Sequence, residues 1–73
     1  MRTRIKKEDH NMKRVVSVYL NGSNIQIYEQ KDGDDYTYLV FYIGKNHKRT
    51  YLDYFDCVSE ATEFALITAM CNG

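Results

Sequence analysis

From residue 15 the chain falls into short runs in which apolar and polar side chains alternate, the period of a half-buried strand. Val15–Leu20 puts Val16, Val18 and Leu20 on one side and Val15, Ser17 and Tyr19 on the other. Ile25–Gln30 sets Ile25 and Ile27 against Gln26, Tyr28 and Gln30. Tyr36–Ile43 is the most apolar run, with no Gly or Pro inside it, and reads as an interior strand. Its two sides are Thr37, Leu39, Phe41 and Ile43 against Tyr36, Tyr38, Val40 and Tyr42. A fourth run, Arg49–Tyr54, follows. Asn21-Gly22, Lys31–Asp35 and Gly44–Lys48 separate the runs, and Asn-Gly is the strongest of the three hairpin signals because a type I′ turn needs two residues that accept positive φ.

These turns set an expected register. A tight Asn21-Gly22 turn pairs Val18 with Ile25. Closing the second hairpin with Gln30 opposite Tyr36 puts Ile27 beside Leu39 and Ile25 beside Phe41. Closing the third with Ile43 opposite Thr50 puts Phe41 beside Leu52 and Leu39 beside Tyr54. Apolar then meets apolar throughout, which predicts a four-stranded antiparallel meander in sequential order.

Beyond Phe55 the period changes to that of a helix. Asp56, Ser59 and Glu60 suit a helix N-terminus, either through a direct Asp56 cap or through Glu60 reaching back, and Asn72-Gly73 suits its end. Val58, Ala61, Phe64 or Ala65, and Thr68 form the stripe expected against the sheet, whereas Leu66, Ile67 and Met70 project elsewhere. The fold class expected is α+β: a four-stranded antiparallel β-meander followed by one C-terminal α-helix packed on one sheet face (ββββα). Residues 1–13 read as a basic, disordered arm and residues 14–73 as a single ββββα domain.

One helix covers one face of such a sheet. The expected register leaves Tyr19, Tyr28, Tyr36, Tyr38, Tyr42 and Tyr51, with Val40, on the other, and those six tyrosines are the candidate partner-binding residues. Leu66, Ile67 and Met70 are the candidate interface of a homodimer, because a domain of this size gains little stability from its own core.

Charge changes the picture more than composition does. The chain of 73 residues is neutral overall, but Arg2, Arg4, Lys6, Lys7, Lys13 and Arg14 outweigh Glu8 and Asp9, so a basic arm precedes an acidic body. The body's cations gather at Lys45, Lys48 and Arg49 beside His47, the candidate nucleic-acid-binding group. No apolar run reaches membrane-spanning length, and the expected location is the cytoplasm. Cys57 and Cys71 would bracket the helix about 21 Å apart, beyond disulfide reach, and read as reduced thiols acting as small hydrophobes.

Candidate chemistry is sparse. His10 lies in the arm and His47 in a turn, neither beside a nucleophile, and with Cys57 and Cys71 they lack metal-ligand spacing. Asp32-Gly33-Asp34-Asp35 lacks the alternating ligands and distal Glu of a calcium loop. No catalytic residue, metal or cofactor is expected, and the chain reads as a non-enzyme. The first function expected is a small protein-binding module of the inhibitor or adaptor type that phages and other mobile elements encode, working through its Tyr face or an edge strand. The alternative is single-stranded nucleic-acid binding through sheet aromatics and the basic arm. In layout, four strands then one helix, the chain resembles the coactivator-type and Pur-type single-strand-binding domains, which dimerise. The charge of the expected Tyr face, with Asp53 and no Lys or Arg, favours protein over nucleic acid.

Overall fold

The computed structural model describes residues 12–72. Four strands, β1 (Met12–Leu20), β2 (Ser23–Asp32), β3 (Asp35–Ile43) and β4 (Arg49–Phe55), form one antiparallel sheet in sequential order, and a helix α1 (Val58–Asn72) packs on one face. This is the expected ββββα architecture. Most of the arm expected over residues 1–13 lies outside the described residues, while Met12 and Lys13 belong to β1.

The first hairpin closes as the Asn-Gly pair dictates: Asn21 and Gly22 both take positive φ (53° and 80°), and Val18 pairs with Ile25. The second closes one residue away from the expected register. Strands β2 and β3 run on until Asp32 pairs with Asp35, leaving Gly33 and Asp34 as a two-residue turn, and Gly33 supplies the positive φ (67°) such a turn requires. Gln30 therefore pairs with Thr37, Ile27 with Val40 and Ile25 with Tyr42. Because side chains alternate with period two, this single-residue difference turns β3 over. Tyr38, Val40 and Tyr42 face the helix, and Thr37, Leu39, Phe41 and Ile43 face away.

Both edge strands are bulged, β1 between Arg14 and Val16 and β4 where Leu52 has no partner of its own. The β4 bulge corrects the phase within its strand. Ile43 pairs with Arg49 and Phe41 with Tyr51 on one side of it, and Leu39 meets Tyr54, the expected pair, on the other. Leu52 is thereby returned to the helix side.

The core is Val18, Ile25, Ile27 and Val40 under an alanine stripe, Ala61, Ala65 and Ala69. Successive stripe residues are four apart and so lie on one helix face, and their small side chains let the helix settle close on the β-branched centre of the sheet. The expected stripe is thus shifted: Val58 is exposed, Thr68 is half-buried, and Phe64 packs against Phe55 with ring centroids 5.3 Å apart. The helix starts from Cys57, whose carbonyl accepts the Ala61 amide (3.1 Å) and whose Sγ lies 2.9 Å from the Ser59 hydroxyl. A thiol therefore stands where Asp56 was expected to cap, with Glu60 in the first turn. Cys57 and Cys71 are both free and exposed, not buried as small hydrophobes. Among the described residues no helix is long and apolar enough to cross a membrane.

Candidate functional site

The face of the sheet away from α1 can be read row by row from the strand pairing. Arg14, Tyr28, Leu39 and Tyr54 make one row across all four strands, Ser17, Gln26, Phe41 and Tyr51 the next, and Tyr19, Asn24, Ile43 and Arg49 a third. Met12, Gln30 and Thr37 extend it at the far end. These rows hold aromatic rings, side-chain amides and two arginines, and the carboxylates of the face begin beyond them, where Asp35 pairs with Asp32 at the far end. Asp53 pairs with Val40 inside the β4 bulge, where its Oδ1 accepts the Tyr54 amide at 2.8 Å.

At the centre of the face three rings form a ladder. Tyr28 and Phe41 meet edge to face at 5.6 Å and 88°, and Phe41 meets Tyr51 at 5.9 Å and 66°, the spacing that aromatic quadrupoles favour. The Arg49 guanidinium lies 5.4 Å above the Tyr28 ring and 5.2 Å above Phe41. The Tyr28 hydroxyl donates to Gln26 Oε1 at 3.2 Å, which ties an amide of this face to the ladder. Tyr19, Tyr51 and Tyr54 are the most open rings, 75%, 52% and 58% exposed.

Of the six tyrosines expected to share a face, the structure keeps only Tyr19, Tyr28 and Tyr51 together. Tyr36, Tyr38 and Tyr42 lie on the helix side, where Tyr38 and Tyr42 flank the core. Tyr38 donates its hydroxyl to Glu29 Oε2 at 3.1 Å, and partial burial together with that bond raises its pKa above the ordinary 10.0. Phe41, Tyr54, Arg14 and Arg49 are the face residues that the expected register missed or set elsewhere. The signal for Phe41 and Tyr54 is Gly33, because a Gly at the first position of a two-residue turn is the II′ pattern and fixes the phase of β3, whereas Arg14 and Arg49 depend also on the bulges in β1 and β4.

Charge is divided between the ends of the sheet. Lys45, His47, Lys48 and Arg49 stand together at the β3–β4 connection, where Asn46 and His47 both take positive φ (65° and 60°) and the Gly44 amide donates to the Lys48 carbonyl at 2.8 Å. At the opposite end Asp34, Asp35 and Asp56 line a cleft with Tyr36, Thr37 and Tyr38, a poor place for any phosphate. Among the described residues no group of three or more His, Cys, Asp or Glu side chains is placed to hold a metal ion.

On the outer side of the helix Leu66, Ile67 and Met70 lie together, 42%, 54% and 60% exposed, as their spacing implies. No known protein family, curated protein or solved structure matches the chain.

Proposed function

We propose that the chain is a non-enzymatic binding module whose open sheet face takes single-stranded nucleic acid. One observation carries this reading: the Tyr28–Phe41–Tyr51 ladder lies on a face that has Arg14 and Arg49, with the acidic row of Asp32 and Asp35 kept to its far end. Every base has a π face, so aromatic rings on an open sheet accept bases in any order, while cations at the border hold the phosphates. Lys45, Lys48 and Arg49 supply that border at one end of the ladder. The acidic charges that make the body as a whole a poor partner for a polyanion sit away from the ladder, at the cleft on the far end of the sheet and on the helix in Glu60 and Glu63. Nucleic acid ranks ahead of protein because the expected register, which leaves the face without cations, is not the one the chain adopts.

Anisotropy of a labelled oligothymidylate tests it. The protein should bind saturably at low salt and weaken as salt rises, with a slope of about 0.7 for each cation paired with a phosphate, which is shallow because few cations are involved. Tyr51→Ala, on an edge strand, should keep the fold and lose about 1–3 kcal/mol of binding, the range measured for one base on one ring. An unmodified protein that shows no saturable binding at low salt would refute the reading.

A protein ligand is the second reading, favoured by Tyr19 and Tyr54, which stand open away from the basic connection and are of the type enriched in interfaces. It would use the same face, not an edge strand, because a bulge in each edge strand blunts its exposed amides and carbonyls. We place either form of the module in the cytoplasm.

The proposal includes a homodimer built on Leu66, Ile67 and Met70. Among the described residues three large side chains are fully buried, Ile25, Ile27 and Val40, so burying three more half-open aliphatic groups against a second copy adds substantially to the stability of the domain. A two-fold through the helices leaves both open sheet faces free. Light scattering should show a dimer that Leu66→Glu dissociates. A monomeric parent protein contradicts this part alone.

A further inference from the structure

We infer that Arg49 is a plug on the stacking site: in the free protein its guanidinium occupies the ring faces that a base must reach, and a bound strand displaces it. The inference rests on the stacking reading above and specifies how the site is regulated.

Arg49 is the first residue of β4, paired with Ile43, and its side chain runs back over the face to lie 5.4 Å from the Tyr28 centroid and 5.2 Å from that of Phe41. One planar cation thus covers two neighbouring rings. Tyr28 and Phe41 are themselves perpendicular, at 88°, so they present no single flat platform while the guanidinium sits in the angle between them. An arginine stacks on rings and carries charge with little hydration, which suits it to cover apolar surface that would otherwise face water. A base entering this angle must take the same space. The displaced guanidinium remains tethered at the edge of the face beside Lys48 and Lys45, where phosphates of the bound strand would pass.

The energetic consequence follows from competition. A site open only part of the time binds with an affinity reduced by its open fraction. If the plug is seated about nine-tenths of the time, the loss is roughly tenfold, or about 1.4 kcal/mol. Removing the plug restores this factor but also removes a cation. The two effects separate with salt, since only the second is screened.

The test compares the full chain with Arg49→Lys and Arg49→Ala, using labelled oligothymidylate at low and at moderate salt. Lysine keeps the charge without the planar stack, so Arg49→Lys should bind several-fold more tightly than the parent at both salts. Arg49→Ala should bind more tightly at moderate salt, and lose that advantage at low salt as the salt slope falls by about 0.7. In the parent, the Arg49 Nε–H resonance, displaced by the ring currents of Tyr28 and Phe41, should move toward its ordinary position as oligonucleotide saturates the site. If both variants bind as well as or worse than the parent at both salts, Arg49 is a direct contact and the plug is refuted, with the stacking reading intact. If the parent binds no oligonucleotide, the stacking reading fails and the plug with it. Both variants change an exposed side chain, and circular dichroism checks that the fold persists.

Discussion

Replacing Val40 by Thr tests the handedness of β3 in the sheet without disturbing shape. The two side chains are nearly isosteric, so the substitution opens no cavity and strains no neighbour. Val40 is fully buried, lies on an interior strand, and packs under Ala61, Ala65 and Ala69 with Ile25 and Ile27 beside it. A hydroxyl there meets the Ala61, Ala65 and Ala69 stripe and the Ile25 and Ile27 side chains, and the ladder already uses the nearby backbone groups. Burying a hydroxyl without a partner costs about 1–3 kcal/mol. A domain of this size has in all roughly 3–9 kcal/mol of stability, at 0.05–0.15 kcal/mol per residue, so the loss is a large share of the total. Each kcal/mol lowers the melting temperature by about 4–8 °C. The matched control is Thr37→Val on the open face of the same strand, where an isosteric change should shift melting by less than a single kcal/mol would. Thermal and urea unfolding followed by circular dichroism give both numbers. In the register suggested by the alternation alone, Val40 points to solvent. A Val40→Thr protein that unfolds with its parent would therefore refute the orientation of β3, and with it the placement of Phe41 on the open face.

Three further outcomes follow from particular contacts. Gly22→Ala should destabilise by about 1–2 kcal/mol in urea although nothing lies within 4 Å of the added Cβ, because the cost is that of φ +80° for a residue with a side chain; an unchanged midpoint would mean that the turn relaxes. Tyr38 should titrate above 10.0, by phenolate absorbance, because partial burial and the Glu29 hydrogen bond favour its neutral form, and Glu29→Gln should lower that value. With the folded pKa raised, the stability from this group is complete below the unfolded value and is lost as pH rises through the folded one, so Glu29→Gln should flatten the alkaline loss of stability. Cys57 should be alkylated ahead of Cys71 at neutral pH, since the Ser59 hydroxyl and the Ser59 and Glu60 amides lower its pKa, and Ser59→Ala should slow it; equal rates in the parent would show that the thiol is not held as an N-cap.

The elements were legible in the sequence because each has its own local signal. Asn21-Gly22 carries its turn type, the alternation in Val15–Leu20 carries a strand, and the alanine and aliphatic spacing after Val58 carries a helix. The orientation of β3 was not, for a physical reason. Both of its sides are apolar enough to be buried, Leu39, Phe41 and Ile43 on one and Val40 between two tyrosines on the other, so alternation alone leaves the two choices close. The turn breaks the tie: a two-residue closure at Gly33 keeps two more ladder pairs than a five-residue loop. Tyrosine makes the outcome tolerable, because Tyr38 can line the core while its hydroxyl reaches Glu29. The same step hid most of the candidate site. Arg49 on the ring ladder depends on the β3 orientation and on the bulge at Leu52, and a bulge leaves no mark in a seven-residue strand read by itself.

The most direct test of the open face as the working surface is a backbone amide titration by nuclear magnetic resonance, with oligothymidylate added to the uniformly labelled protein. Shifts should be largest at Tyr28, Phe41, Arg49 and Tyr51, extend to Gln26 and Lys48, and leave Ala61, Ala65 and Ala69 unmoved. Shifts confined to Lys45–Arg49 would reduce the interaction to charge alone. Changes centred on Leu66, Ile67 and Met70, or none at saturating oligonucleotide, would contradict the account.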